Sequence, residues 1–296
     1  MKHFADQLAA AVKRTGNSVC VGLDPRAKNL PAELLAADEK SLSDLADVYT
    51  HFCNGVIDVV APLVPIVKPQ AAFFEELGPS GALALGRVID HAHSRGLLVI
   101  VDAKRGDIGS TAEAYARAYL GHDSPWRADC LTVNPYLGDD SLTPFVDVAR
   151  ERGAGIFVLV KTSNPGGRLL QDVESDGRPL YSRVAEHVEG LAAANLGACG
   201  YGFVGAVVGA TYSEQLVELR RAMPHTWFLV PGYGSQGGTA ADVAPAFDAN
   251  GLGAVVNNSR GIIFAHARPE YETVPWQSAV ESATRAMIAD LKSALR

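Results

Sequence analysis

The chain has little of what marks several protein classes. Its 296 residues include four cysteines, Cys20, Cys53, Cys130 and Cys199, with no CxxC pair, so we expect reduced core thiols and neither a disulfide framework nor a zinc site. No apolar run approaches membrane-spanning length, and no linker or low-complexity tract divides the chain. Basic residues are the minority, 26 Lys and Arg against 33 Asp and Glu, and the net charge of -7 argues against a general nucleic-acid binder.

What is present indicates a globular protein. Hydrophobic residues make up 48% and charged residues 20% of the chain, which is enough apolar material for a sizeable core. The opening stretch MKHFADQLAAAVKRTGN spaces Phe4, Leu8 and Val12 four residues apart, so it predicts an amphipathic helix rather than a secretion signal. We therefore expect a cytoplasmic protein with no membrane partner. The eight histidines lack the spacing of metal ligands, and no metal site is expected.

Short β-branched runs recur along the whole chain. They are VCVGLD (19–24), VPIVKP (64–69), LLVIVDAK (97–104), DCLTVNP (129–135), GIFVLVKT (155–162), FVGAVVGA (203–210), TWFLVPG (226–232) and LGAVVNN (252–258). Alanine-rich segments with helical spacing lie between them, and several end at a glycine. Eight apolar strands that alternate with helices predict a (β/α)8 TIM barrel with an additional N-terminal helix, formed by residues 1–296 as one domain. A doubly wound open sheet is the alternative.

Charged residues follow several of these strands. In VIVDAKRGDIGST (99–111), strand alternation places Asp102 and Lys104 on the same face, opposite the valines, and so toward the barrel mouth. Alone, the two could be a structural ion pair. Lys68 ends the neighbouring strand, and two ammoniums fixed around a carboxylate favour catalysis, because preorganised charges stabilise a developing charge without rearranging. Asp24 ends the first strand, and Asp107 follows Lys104 closely. A lysine at such a site is also a candidate general acid or Schiff-base nucleophile.

The last two strands lead into a predicted phosphate site. The loop PGYGSQGG (231–238) permits close backbone approach at Gly234 and Gly237 and offers the side-chain donor Gln236, ahead of a helix that starts near Thr239. Arg260, in NNSRG after the eighth strand, would add a bidentate guanidinium. The stretch 164–181 is long for a connection, so we expect a loop over the site.

Several of these segments resemble one enzyme family. VDAKRGDIGST resembles the D-x-K-x-x-D-I motif of the orotidine 5'-phosphate decarboxylases, and LDPR, IVKPQ, VKTSNPG, PGYGSQGG and NNSRG resemble segments of that family's longer bacterial form, in order along nearly the whole chain. The core motif is shared with 3-keto-L-gulonate 6-phosphate decarboxylases and hexulose phosphate synthases. Those relatives are typically shorter and use magnesium, so the chain length and the segments KPQAAFFE and PGYGSQGG favour the orotidine enzyme.

The resemblance implies a cofactor-free decarboxylation of orotidine 5'-monophosphate to uridine 5'-monophosphate, the last step of de novo UMP synthesis, by a homodimer. It also implies a role for each matched residue. Asp24 and Lys68 would hold the ribose, Asp102 would lie against the substrate carboxylate, and Lys104 would protonate C6. Ser163 would form a hydrogen bond to the pyrimidine, and Gln236 and Arg260 would bind the phosphate. Three further residues would reach the neighbouring subunit's site, namely Asp107, Ile108 and Thr111. We expect closure of the loop around Gln236 to be coupled to catalysis.

The same residues are compatible with two other functions. A Schiff-base aldolase could use Lys104 or Lys161, in which case borohydride would trap a covalent adduct. A catalytically silent barrel could bind phosphorylated ligands, in which case binding would survive replacement of Lys104 by alanine.

Overall fold

The structure is a computed structural model that describes residues 3–35, 41–234 and 236–295; Ser235, in the predicted phosphate loop, lies outside them. Its strands, in chain order, are β1 (Val19–Leu23), β2 (Ile66–Pro69), β3 (Leu98–Arg105), β4 (Cys130–Val133), β5 (Gly155–Lys161), β6 (Glu174–Ser175), β7 (Arg178–Pro179), β8 (Val204–Val208), β9 (Phe228–Val230) and β10 (Ala254–Asn258). Eight of them form a closed barrel in the order β1-β10-β9-β8-β5-β4-β3-β2 with parallel pairing throughout, while β6 and β7 form a separate hairpin. The predicted TIM barrel is confirmed, and the open-sheet alternative is wrong.

Helices surround this barrel. They are α1 (Phe4–Thr15), α2 (Leu42–Val60), α3 (Ala72–Glu75), α4 (Gly78–Ser94), α5 (Gly109–Leu120), α6 (Thr143–Arg152), α7 (Arg168–Gln171), α8 (Leu180–Ala193), α9 (Ser213–Ala222), α10 (Ala240–Val243), α11 (Arg260–Ile263) and α12 (Trp276–Ala294). Barrel strands buried on both faces need side chains that are apolar throughout, as in β1, where all five residues are buried. Seven of the eight predicted runs each contain one barrel strand, and β3 extends one residue beyond its run, to Arg105.

The predicted N-terminal helix closes the end of the barrel opposite the strand carboxyl ends. In α1, Phe4 packs edge-to-face on Phe157 of β5, and a Cβ at Gly155 would lie 2.3 Å from the Phe4 ring. The helix ends at Gly16, whose φ of 64° is the left-handed conformation that glycine adopts at little cost. With one end covered, the opposite end is where a ligand can enter.

The four cysteines are free thiols, and three of them are buried. Burial raises the pKa of Cys20 to about 12, against the opposing effect of the nearby Lys68 charge. Such thiols are protonated at neutral pH and serve as small apolar side chains. Cys199 is the exception, being only partly buried. No helix within the described ranges is both long and apolar enough to span a membrane.

The 164–181 connection, which we expect from its length to form a loop over the site, has regular structure of its own. It contains a 3-10 turn at Pro165–Gly167, the short helix α7 and the β6–β7 hairpin. Leu170, Gln171 and Leu180 line the same cavity as Lys104. Backbone hydrogen bonds within the connection, such as those from Val173 to Leu170 and from Leu180 to Val173, stabilise these turns. The composition of the segment does not reveal them.

Candidate active site

A cavity of about 820 Å³ opens at the carboxyl ends of the barrel strands. Six of the predicted site residues line it, namely Asp24, Lys68, Asp102, Lys104, Ser163 and Gln236. They come from five different strands or the loops that follow them, so the closed barrel brings together side chains that are far apart in the sequence. Four of the predicted charged residues, Asp24, Lys68, Asp102 and Lys104, therefore lie together at the mouth.

Asp102 is the centre of this group. Its Oδ2 accepts hydrogen bonds from Lys68 Nζ at 2.6 Å and from Gln70 Nε2 at 3.1 Å. Its Oδ1 accepts from Lys104 Nζ at 2.5 Å and from Thr132 Oγ1 at 3.0 Å. Four donors occupy the roughly four acceptor sites of an ionised carboxylate, so the carboxylate is held in one orientation.

The charges of this group stabilise one another. Burial alone would raise the pKa of Asp102, but the ammoniums of Lys68 and Lys104 outweigh it and hold that pKa well below its usual range. Burial would likewise lower the pKa of Lys68, but Asp102 and then Asp24 raise it above its usual range. Both groups are therefore charged at neutral pH, and a fixed field acts on whatever occupies the cavity.

Lys104 differs from Lys68 in its exposure. The Lys68 side chain is buried, whereas that of Lys104 is 46% exposed and faces the cavity. Its backbone has a φ of 49°, in the left-handed region that few residues other than glycine adopt. The ammonium of Lys104 is therefore more accessible than that of Lys68 to a ligand in the cavity.

Ser163 follows β5, and glycines after β8 and β9 make room for it. A Cβ at Gly209 would lie 2.7 Å from Ser163 Cα, and one at Gly232 would lie 3.2 Å from Ser163 Cβ. The Ser163 carbonyl accepts a hydrogen bond from Thr211 Oγ1 at 3.0 Å, which anchors the segment while the Ser163 side chain lines the cavity.

The predicted phosphate residues do not all share one cavity. Gln236 is exposed and lines the cavity with Lys104. Gly234 and Gly237 have φ values of 70° and 96° and line a separate depression beside α12. Arg260 is exposed and starts α11 directly after β10. Arg260 is not one of the described residues that line the cavity.

Three further predicted residues lie outside the cavity of their own chain. Asp107 Oδ1 accepts a hydrogen bond from the Ile108 backbone N–H at 2.8 Å, the Ile108 side chain is 57% exposed, and Thr111 is exposed in the first turn of α5. Asp107, Ile108 and Thr111 are not among the described residues that line the cavity.

Two polar residues of the site carried no role in the sequence analysis. Gln70 follows β2 directly, and Thr132 is buried within β4, yet both donate to Asp102. A signal for Thr132 was present: it is the polar member of the apolar run CLTV, at a position that alternation can turn inward. A side chain of that kind in a barrel interior needs a buried partner.

Lys161 occupies a separate position behind the cavity. It is 1% exposed, forms an ion pair with Asp172 of the 164–181 connection, and lies 4.6 Å from the ring centroid of Tyr212 and 5.2 Å from that of Tyr181. The ammonium contacts a carboxylate and two aromatic faces and is not among the described residues that line the cavity, which disfavours the Schiff-base role considered for this lysine. Within the described part of the chain, no three His, Cys, Asp or Glu side chains are grouped as metal ligands.

The closed barrel and the charged group at its mouth define a class: a TIM-barrel enzyme with its active site at the strand carboxyl ends. The model of the orotidine 5'-phosphate decarboxylase / HUMPS family matches residues 17–273, and the chain belongs to that family. A relative from Rhodopirellula baltica, orotidine 5'-phosphate decarboxylase, is 60% identical over 301 residues, which cover 99% of this chain and 100% of that one.

Solved structures agree. The structure of a putative orotidine 5'-phosphate decarboxylase from Streptomyces avermitilis is 36% identical, has a TM-score of 0.82, and covers 100% of this chain and 96% of its own. Leishmania donovani UMP synthase is 35% identical with a TM-score of 0.81; all of this chain is covered, but only 57% of that longer one.

Proposed function

We propose that this protein decarboxylates orotidine 5'-monophosphate to uridine 5'-monophosphate without a cofactor, as the last step of de novo UMP synthesis in the cytoplasm. The observation that carries the proposal is the carboxylate of Asp102 held between the ammoniums of Lys68 and Lys104 at the barrel mouth. Family membership supports the same substrate.

The reaction requires a positive charge beside one ring carbon. When the bond between C6 and the carboxyl carbon breaks, its electron pair stays at C6 in the plane of the ring, where the π system cannot delocalise it. The Lys104 ammonium stabilises this pair and then donates a proton from Nζ to C6, while carbon dioxide leaves. Water returns a proton to Lys104 afterwards.

Asp102 acts on both the Lys104 ammonium and the substrate carboxylate in the decarboxylation. It holds the Lys104 ammonium at 2.5 Å, which fixes the direction from which the proton comes. It also lies where the substrate carboxylate would enter, so its charge opposes the bound ground state and favours loss of carbon dioxide. Lys68 keeps Asp102 ionised throughout.

The rest of the substrate is held along the cavity walls. Asp24 Oδ1 is buried and accepts no hydrogen bond from the described residues, which supports a role as acceptor for a ribose hydroxyl beside Lys68. Ser163 bonds the pyrimidine. Gln236 and Arg260, with the backbone at Gly234 and Gly237, bind the phosphate when the loop around Gln236 closes over it.

The active unit in this proposal is a homodimer of single-domain chains, each comprising residues 1–296. The support is that Asp107, Ile108 and Thr111 follow the catalytic strand and yet lie outside the cavity of their own chain. In a dimer they complete the charged group in the partner's site.

The first test is the ultraviolet absorbance of orotidine 5'-monophosphate incubated with purified protein and a metal chelator. The parent should consume the substrate, Lys104→Ala should consume almost none, and Lys13→Ala, which removes an exposed lysine of α1, should match the parent. No consumption by folded parent protein would overturn the proposal. A borohydride-trapped adduct would favour the aldolase, and turnover of a sugar phosphate only with magnesium would favour the related phosphate-sugar enzymes.

The dimer has its own test. Lys104→Ala and Asp107→Ala should each be inactive alone. If Asp107 serves the partner's site, mixed dimers of the two variants contain one intact site, and an equal mixture should regain about a quarter of parental activity. Recovery that stays at the level of the separate variants would contradict a shared site.

A further inference from the structure

β3 departs from regular pairing at the catalytic lysine. β3 and β4 pair at Val101 with Leu131 and next at Arg105 with Val133. Three residues of β3, 102–104, therefore face the single residue Thr132 of β4. Such a bulge leaves backbone N–H groups without ladder partners, and buried or half-buried donors need another acceptor.

Thr132 supplies that acceptor. Its Oγ1 accepts hydrogen bonds from the backbone N–H of Ala103 at 3.0 Å and of Lys104 at 2.9 Å. The same atom donates to Asp102 Oδ1 at 3.0 Å. A hydroxyl has one hydrogen to donate and two lone pairs to accept with, so all three capacities are used, and all three serve residues 102–104.

The direction of each bond is determined. Backbone N–H groups can only donate, so Thr132 accepts twice. Asp102 already accepts from Lys68 and Lys104 as an ionised carboxylate, so the hydroxyl hydrogen must point to Oδ1. Thr132 is 1% exposed, which prevents water from taking over these contacts.

We propose, resting on the proposed function, that Thr132 is a positioning residue for the decarboxylation: its hydroxyl fixes the bulge of β3, and so sets where the Lys104 ammonium lies relative to Asp102. The left-handed backbone of Lys104, with φ of 49°, is the conformation that this hydroxyl stabilises. A valine of the same shape leaves two N–H groups without an acceptor and removes one donor from Asp102.

The test compares Thr132→Val with Thr132→Ser, which keeps the hydroxyl, and with Thr226→Val as a matched control. Thr226 is equally buried and donates to a carboxylate, Glu189 Oε2 at 2.8 Å, but it precedes β9, away from the cavity. Thr132→Val should lower kcat on the order of 100-fold while KM changes little, because a shift of about 1 Å in a reacting group costs that much. Thr132→Ser should restore most of kcat, and Thr226→Val should leave both constants near the parental values.

Several outcomes would overturn this role. Parental kcat in folded Thr132→Val would do so, and so would an equal loss in Thr226→Val, which would indicate a general effect of removing buried hydroxyls. If Thr132→Val does not fold, Thr132→Ala against Thr132→Ser isolates the hydroxyl in a smaller side chain, and equal kcat in these two would refute the proposal.

A crystallographic readout separates this inference from the proposed function. The φ of Lys104 should remain left-handed in the parent and in Thr132→Ser and should change in Thr132→Val. If the parent does not consume orotidine 5'-monophosphate, the proposed function fails, while these φ values still decide whether Thr132 fixes the bulge. An unchanged φ in Thr132→Val would refute the positioning role whatever the substrate.

Discussion

Replacing Asp102 by asparagine should destabilise the fold as well as abolish catalysis. The substitution keeps the shape of the side chain but leaves the ammonium of Lys68 buried without its carboxylate. Lys68 Nζ lies 2.6 Å from Asp102 Oδ2, and at an effective dielectric constant of about 20 two unit charges at that separation attract each other by about 6 kcal/mol.

The net effect is smaller than this attraction. Both charges lose hydration on burial, which offsets part of it, and the half-exposed Lys104 is screened by solvent and adds little. Removing one member of a buried pair costs about 3–5 kcal/mol, because the remaining charge stays buried. We therefore expect the free energy of unfolding of Asp102→Asn to be lower by about 3–5 kcal/mol.

Urea unfolding followed by tryptophan fluorescence measures this difference. Lys68→Met combined with Asp102→Asn is the control: it removes both charges of the pair, and it should be more stable than Asp102→Asn alone. A loss below about 1 kcal/mol in Asp102→Asn, with an unchanged dependence on urea, would refute the argument that the pair is held in a poorly solvated environment.

The pH dependence of the same difference has a defined sign. The folded-state pKa of Asp102 is lowered, so its contribution is present above the unfolded pKa of about 3.9 and is lost as the pH falls toward the folded value. The pKa of Lys68 is raised, so its contribution is present below about 10.4 and is lost as the pH rises through the folded value. The difference in free energy of unfolding between the parent and Asp102→Asn should stay constant between about pH 5 and 9. Below about pH 4 it should decrease by about 1.4 kcal/mol for each pH unit.

Three smaller perturbations follow from contacts elsewhere. Asp172→Asn leaves Lys161 buried without its carboxylate, so the free energy of unfolding should fall by up to about 3 kcal/mol, and limited proteolysis within 164–181 should quicken; unchanged cleavage would contradict this. Gly209→Ala places a Cβ within 2.7 Å of Ser163 Cα, so overpacking should lower the free energy of unfolding by about 1–3 kcal/mol and lower Tm. A parental Tm would contradict this prediction. Ser41→Ala removes the capping box of α2 and should cost about 1 kcal/mol in urea unfolding with activity unchanged; a drop in activity would be unexpected.

Most of the fold could be predicted from the sequence because a TIM barrel repeats one simple pattern. The run LLVIVDAK is continuously apolar until Asp102, since β3 is buried on both faces until it reaches the mouth. The same alternation predicted that Asp102 and Lys104 share a face. The positions of Lys68 and Asp24 followed from the rule that barrel strands end at one side.

What the sequence could not reveal depends on contacts between distant strands. The bulge at Ala103 exists because Thr132, on another strand, offers a hydroxyl to two backbone N–H groups. The ion pair of Lys161 with Asp172 depends on how the 164–181 connection folds back. Gly234 lines a depression near α12 in this structure, because tertiary contacts decide the direction in which a glycine loop faces. Its contact with a phosphate is part of the proposal that the loop around Gln236 closes.

The order in which the barrel strands pair has a consequence for biosynthesis. β1 is hydrogen-bonded to β2 on one side and to β10 on the other, with Val19 opposite Val256. Because a ribosome releases the N-terminus first, one edge of β1 stays unpaired until β10 has been made, and unpaired apolar edges are prone to aggregate. The sheet therefore stays open during most of translation. Lys68, Asp102 and Lys104 line a closed cavity only after the final barrel strands have paired.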